Sequence, residues 1–386
     1  MRNYNHNTVI NSLRWRGGSG VGRATRVMRL AAIISAVALA AAACGEPPPA
    51  SEPGGEQSES DFLACMVTDE GGVDDKSFNE TSWNGLLNAY DSGVIAEPKY
   101  VEPKSASDYE PNLKNMVRDD CGMIVTVGFN LADATKASAE ANPDQKYAIV
   151  DHLYVDQETF EPTPIDNVKS LVFNTQEAAF LAGYLAAGHS ETGKVATWGG
   201  MKIPTVTIFM DGFYDGVQHY NEVKDADVQV LGWDKKSQDG QFVGDFSNST
   251  VAKQLSENLI SRGADVVMPV AGPIGESAAV AAKDAGDVAL IWVDTDGYKT
   301  LTEYRDILLT SVVKGMDVAV EKAVTATAEG NFSNESFIGT LENEGVSIAP
   351  YHAFEDKLDD ELKKEVDELR QQIISGELKV ESDAAF

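Results

Sequence analysis

Phe62 to Val67 is an apolar run of strand length, and Trp83, Leu86, Leu87 and Tyr90 follow at helical spacing. Between them lies the polar loop Thr68-Asp69-Glu70-Gly71-Gly72, whose glycines permit backbone angles that other residues resist. Ser77 with Glu80 three residues on predicts a capping box opening a helix over 78–91. The alternation continues, with strands predicted at 62–68, 97–102, 121–127, 146–151 and 169–173 and helices at 107–118 and 131–141. A second series repeats the plan: helix 176–188, strand 193–198, helix 205–222, strand 227–232, helix 249–262, strand 265–270, helix 275–285 and strand 288–293. Strands alternating with helices predict an α/β chain with parallel sheets.

Gly199-Gly200, followed by a helix carrying Phe209 and Phe213, echoes Gly71-Gly72 followed by Phe78, so two similar lobes are expected. Ile307 to Val312 reads as a strand and Asp317 to Ala328 as a helix, together returning to the first lobe. Phe337 to Ile348 and the charged helix 355–376 would finish the second lobe, the helix as a solvated outer face.

The formal charge of the 386 residues is −30. Six Arg and no acid fall in the first 43 residues, which leaves 25 basic against 61 acidic side chains, net −36, beyond them. A surface that acidic is unsuited to nucleic acid, whose binding rests on Lys and Arg replacing counterions. The N-terminus, with Arg14, Arg16, Arg23, Arg26 and Arg29 before the apolar run Leu30–Ala43, predicts a signal peptide over 1–43, too short to span a bilayer comfortably. Small residues before Cys44 and Gly45 after it resemble a bacterial lipobox, so lipidation of Cys44 is expected, although Ala41 stands where Leu is usual. Residues 44–60 then form a tether rich in Pro, Gly, Ser and Glu, a flexible coil that would span roughly 20–25 Å.

Catalytic signals are sparse. None of His6, His152, His189, His219 and His352 is paired at metal-ligand spacing, and no H-E-x-x-H, C-x-x-C or G-x-S-x-G occurs. The pair Asp294 and Asp296 is too common a pattern to imply hydrolysis. Neither catalytic residue, metal nor cofactor is expected. Predicted strand ends instead carry Asp69, Gly128-Phe129-Asn130, Asp151 and Asp294, with Gly272 in A-G-P-I-G and Phe246 in G-D-F-S-N-S before a helix. Ligands in open α/β sheets bind at such ends. The acids around Asp69, Asp74 and Asp75 oppose a phosphate and favour a ligand bearing hydroxyls or amines, with Phe78 offering a face to a flat ring. The same residues also fit a core Phe78 beneath a solvated acidic turn. Phe209, Phe213 and Tyr220 read as core, Asp296 as a turn residue, and Trp198 and Trp233 as mainly structural. Cys65 and Cys121, in or beside neighbouring strands, could pair outside the cytoplasm, but two buried thiols are the preferred expectation, because cross-strand cysteines often lack disulfide geometry.

The run T-D-E-G-G-V-D-D-K-S-F-N with W-N-G-L, and then V-G-F, G-D-F-S-N, A-G-P-I-G, V-D-T-D and L-T-S-V-V-K in that order, resembles the basic membrane protein family of ABC-importer substrate-binding lipoproteins, of the purine nucleoside receptor type. Pro273-Ile274, in place of a small polar pair, departs from the family pattern. The resemblance implies the type I periplasmic-binding-protein fold, two Rossmann-like lobes with three hinge crossovers and the ligand between them. The lobes are expected as 61–175 plus 297–328 and 176–296 plus 329–386. The resemblance also implies that Phe78 and Phe246 sandwich a base, that Asp69 and Asn79 face it, that Asp294 accepts ribose hydroxyls and that Lys314 donates to a ribose oxygen. Asp151 and Gly272 complete the expected ligand set. The expected protein is an extracytoplasmic monomer on a lipid anchor, passing a nucleoside to ABC permease subunits. The alternatives are a sensor, or an importer receptor for a sugar or other small solute, on the same fold.

Overall fold

The structure, a computed structural model, describes residues 60–156, 158–159 and 161–385. The expected leader, Cys44 and all of the tether but Ser60 lie outside them. Five strands of the first lobe are β1 (Ala64–Val67), β2 (Lys99–Val101), β3 (Met123–Val127), β4 (Lys146–Val150) and β5 (Val168–Phe173). The second lobe has β6 (Lys194–Gly199), β7 (Gln229–Leu231), a short hairpin of β8 (Trp233–Asp234) and β9 (Asp239–Gly240), then β10 (Val266–Val270), β11 (Ala289–Asp294) and β12 (Leu308–Lys314). Two last strands follow, β13 (Phe337–Gly339) and β14 (Val346–Ile348). The helices are α1 (Phe78–Asp91), α2 (Tyr109–Arg118), α3 (Ala132–Ala141), α4 (Thr175–His189), α5 (Pro204–Lys224), α6 (Ser249–Ser261), α7 (Glu276–Ala285), α8 (Gly297–Thr300), α9 (Met316–Ala328) and α10 (Asp360–Ile374). None is long and apolar enough to cross a membrane.

The two sheets run β13-β5-β4-β3-β1-β2 and β14-β12-β11-β10-β6-β7. They are the same doubly wound order twice: β1 corresponds to β6, β3 to β10 and β4 to β11. All pairings within the two sheets are parallel except that of β14 with β12. Buried on both faces, the central strands are continuously apolar, as in Met123–Val127 and Val266–Val270. The chain crosses between the sheets three times, at Asn174, at Gly315 and between Gly339 and Val346.

The last two crossings correct the expected lobe boundaries at 296/297 and 328/329. β12 does not return to the first lobe; it pairs with β11 from Ile291–Thr310 to Asp294–Val313 and belongs to the second sheet. β13, expected in the second lobe, pairs with β5 of the first. A buried parallel strand is apolar whichever sheet receives it, so pattern alone does not assign it. α9 then packs on α1 and the first sheet.

A second correction concerns the cysteines. Cys65 and Cys121 form a disulfide, with a Cα–Cα distance of 5.9 Å. Cys121 lies in the turn before β3 rather than in the ladder, so the unfavourable cross-strand geometry does not apply to it. The bridge ties the approach to β3 to the middle of β1, the strand that leads to Asp69.

Helices α4 and α5 cross at backbone contact because glycines line the crossing. A Cβ added to Gly216 would stand 2.0 Å from the carbonyl oxygen of Phe180. This close crossing seats α5 so that its first turns, Thr205 to Phe209, reach the interlobe cleft.

Candidate functional site: an acidic and aromatic interlobe cleft

The cleft lies at the C-terminal ends of both sheets, with roughly 560 Å³ of empty space that includes its opening to solvent. Asp69, Phe78, Asn79, Asp151, Phe246, Gly272, Asp294 and Lys314 all line it. Asp74 does not; it is exposed. Glu70, Asp75, Gly128, Phe129, Ile203, Thr205, Val206, Phe209 and Pro273 are in the lining as well. Phe209, read as core, is both buried and at the cleft wall. The Gly199-Gly200 echo was the signal that marked this second βα entrance. Phe213 is core, and Tyr220 packs against Tyr184. Trp198 is wholly buried, and the Trp233 indole donates to Asp211 at 3.0 Å, so neither tryptophan reaches the cleft. Asp296 caps α8 and contacts the His352 ring at 3.0 Å, consistent with a turn role.

Asp151 follows β4 and Asp294 ends β11, equivalent places in the two sheets. Both have positive φ, +63° and +70°, a conformation that Asp tolerates better than most residues. The paired strain turns two carboxylates inward from opposite lobes. Lys314, at the end of β12 and 2% exposed, stands between them, 2.5 Å from Asp151 and 3.9 Å from Asp294. Its ammonium also lies 5.0 Å from the Phe78 ring centroid, 5.4 Å from that of Phe173 and 5.6 Å from that of Phe209. Burial raises the carboxyl pKa of both aspartates, and Lys314 pulls each back.

The expected capping box does not form. Ser77 makes no side-chain cap; its hydroxyl crosses the cleft and donates to Asp294 Oδ2 at 2.6 Å. Asp75 caps α1 instead, accepting backbone N–H groups of Ser77, Asn79 and Glu80 at 2.8–3.0 Å and the Asn79 amide at 3.0 Å. One buried carboxylate thus satisfies three donors that the helix start leaves free. Burial pushes its pKa up to about 6, against those hydrogen bonds. Asn79 in turn accepts the Asp69 N–H at 3.0 Å, so the loop and helix are locked together.

Several contacts join the lobes. Ser77 meets Asp294, the Trp292 indole donates to the Lys76 carbonyl at 3.1 Å, and Lys76 pairs with Glu276 at 2.9 Å. Pro273 lies close over Gly71, where an added Cβ would be 3.1 Å from its ring, so closure there needs a bare backbone. The Lys76–Glu276 pair is partly exposed on both sides and contributes at most about 1 kcal/mol. Glu276→Gln is therefore expected to speed ligand release only a few-fold, and high salt should erase the difference from wild type. Stopped-flow release measured at two ionic strengths checks this; a hundredfold change would mean the pair is the principal clasp.

Five acids face a single cation in the lining, so the cleft repels phosphates and suits neutral or cationic ligands with several donors. Among the described residues no group of His, Cys, Asp and Glu is arranged to hold a metal ion.

Two doubly wound lobes, crossed three times and closing on such a cleft, define the type I periplasmic-binding-protein fold. The chain belongs to the Bmp family, ABC transporter substrate-binding proteins of the PnrA-like type, which it matches over residues 62–384. It is 30% identical over 366 residues to a CD4+ T-cell-stimulating antigen of Listeria innocua, covering 90% of this chain and 96% of that one. It is also 30% identical over 375 residues to the ABC transporter nucleoside-binding protein BmpA of Lactococcus lactis, covering 92% and 99%. An ABC transporter solute-binding protein from Aeropyrum pernix superposes with a TM-score of 0.73 at 26% identity, over 83% of this chain and 94% of that one. The family is one of extracytoplasmic substrate-binding proteins, not of enzymes.

Proposed function

We propose that this chain is a monomeric lipoprotein, anchored through Cys44, that captures a purine nucleoside between its lobes and presents it to an ABC permease. The observation that carries this reading is the make-up of one cleft: aromatic Phe78 and Phe246 from opposite lobes, with Asp69 and the Asp294–Lys314 pair among them. Stacking on the two rings accepts any purine face, while hydrogen bonds to the edge set identity. Asp294 is suited to accept two ribose hydroxyls and Lys314 to donate to a ribose oxygen. The nucleoside-binding relative in Lactococcus lactis supports the same ligand class. Closure follows from differential affinity, because a ligand held by residues of both lobes binds the closed state better.

Calorimetric titration of the purified chain with adenosine, guanosine, inosine, uridine and ribose tests the reading. Tight binding of a purine nucleoside with ribose silent is the expected result. Binding of ribose alone would favour the sugar-receptor alternative, and silence from every ligand with folded, ligand-free protein would overturn the nucleoside reading.

A further inference from the structure

Asp69 reaches the cleft, yet its two carboxylate oxygens are not equivalent. Oδ1 accepts the Glu70 N–H at 2.7 Å and the Tyr109 hydroxyl at 2.8 Å. Oδ2 has one donor in reach, the Asn130 amide at 3.5 Å. It lies beside Gly128, where an added Cβ would stand 2.5 Å from it, and Gly128 is itself in the cleft lining. With φ +106° and no side chain, Gly128 leaves the space in front of Oδ2 open.

Tyr109 is not part of the lining. It opens α2, is 4% exposed, and its ring packs in the cluster that holds Cys65, Leu113 and Cys121. Burial together with the neighbouring Asp69 charge keeps its hydroxyl protonated, so it acts only as a donor toward Asp69. The distance in sequence is 40 residues, and no motif links the two.

We propose that Tyr109 is a positioning residue that sets ligand specificity: by occupying Asp69 Oδ1 it fixes the carboxylate so that Oδ2 is left toward the cleft as the acceptor for one N–H donor on the ligand. This rests on the nucleoside reading and deepens it. The favoured ligands are nucleosides whose base edge carries an N–H, over bases whose edge carries acceptors only.

The pH behaviour follows from the same contacts. The groups around Asp69 are Glu70 on its own loop, Tyr109 from α2, Asn79 from α1 and Asn130 after β3; Glu70 and Tyr109 are the titratable ones. Burial raises the Asp69 pKa, while the Glu70 N–H, Tyr109 and Asn130 lower it. Removing the Tyr109 hydroxyl withdraws one of the bonds that favour the ionised form, so the pKa rises further. Binding that needs ionised Asp69 is then lost at a higher pH as acid is added.

The test is titration of wild type, Tyr109→Phe and Asp69→Asn with inosine, which has a base N–H, and with purine riboside, which has none, from pH 5 to 8. In Tyr109→Phe, inosine affinity should fall about tenfold and its acid limb should move to higher pH, while purine riboside affinity changes less than about twofold. Asp69→Asn should lose inosine affinity and the acid limb together. Equal loss of both ligands, or an unmoved acid limb, would reduce Tyr109 to a structural residue and overturn the proposal. Wild type silent to both ligands would instead refute the nucleoside reading beneath it. A melting scan of each variant checks that the fold is intact.

Discussion

Lys314→Ala is expected to destabilise the folded chain by about 3–5 kcal/mol at neutral pH, the range for removing one partner of a buried ion pair. Among the described residues the lysine is the only cation in the cleft lining, and it links the first-lobe Asp151 to the second lobe where β12 ends. Without it two buried carboxylates remain uncompensated. The loss should depend on pH with a definite sign. Burial already raises the folded pKa of Asp151 and Asp294 above their unfolded values. A raised folded pKa means that the native state holds protons more readily than the unfolded chain, so stability is gained as pH falls through that value. In the variant both pKa values rise further, so its deficit should be largest near pH 8 and shrink toward pH 5. Calorimetric melting across that range measures it. Lys314→Met, which keeps most of the stem, should recover packing but not the pH-dependent part. A deficit that stays flat with pH, or grows in acid, would show that charge compensation is not what Lys314 supplies.

Phe246→Ala is expected to weaken nucleoside binding by about 10–100-fold, from the roughly 1–3 kcal/mol that stacking of one base on an aromatic ring contributes. The ring is partly exposed, on the loop before α6, so melting temperature should move little. Its seat depends on Gly200, where an added Cβ would fall 2.4 Å from the ring. Gly200→Ala should therefore mimic part of the effect by displacing Phe246. Phe246→Tyr, which keeps a flat face, should retain most affinity. Unchanged nucleoside affinity in Phe246→Ala would refute the stacking role.

Helix α1 was legible residue for residue, because a Gly-rich loop and an apolar stripe at helical spacing are local signals. The cap differs from its local pattern for an equally physical reason: Ser77 and Glu80 have capping-box spacing, but Asp294, 217 residues away, takes the Ser77 hydroxyl. With that hydroxyl engaged, Asp75 takes the helix start. The apolar run of β12 reads as a strand but not as a strand of the second sheet, since either sheet buries such a strand on both faces. The disulfide is not legible in the pattern, because the position of Cys121 before the start of β3, outside the ladder, decides whether the two sulfurs meet.

The sequence by itself determined the alternation of strands and helices, the two repeated lobes, and the eight residues that meet in one cleft. The alternation follows from short-range periodicity; Asp69, Asp151 and Asp294 follow from strand ends, where an α/β sheet delivers its loops to a common edge, and Phe78, Asn79, Phe246, Gly272 and Lys314 from the motifs that resemble the family. Only the tertiary structure decided how those residues are used. It turned Asp151 and Asp294 inward at equivalent strained positions, set Lys314 between them, and brought Tyr109 under Asp69 from another helix. Each is a contact between segments far apart in the chain, fixed by how the two sheets and their helices pack, and no local pattern encodes which distant partner a buried polar group will find.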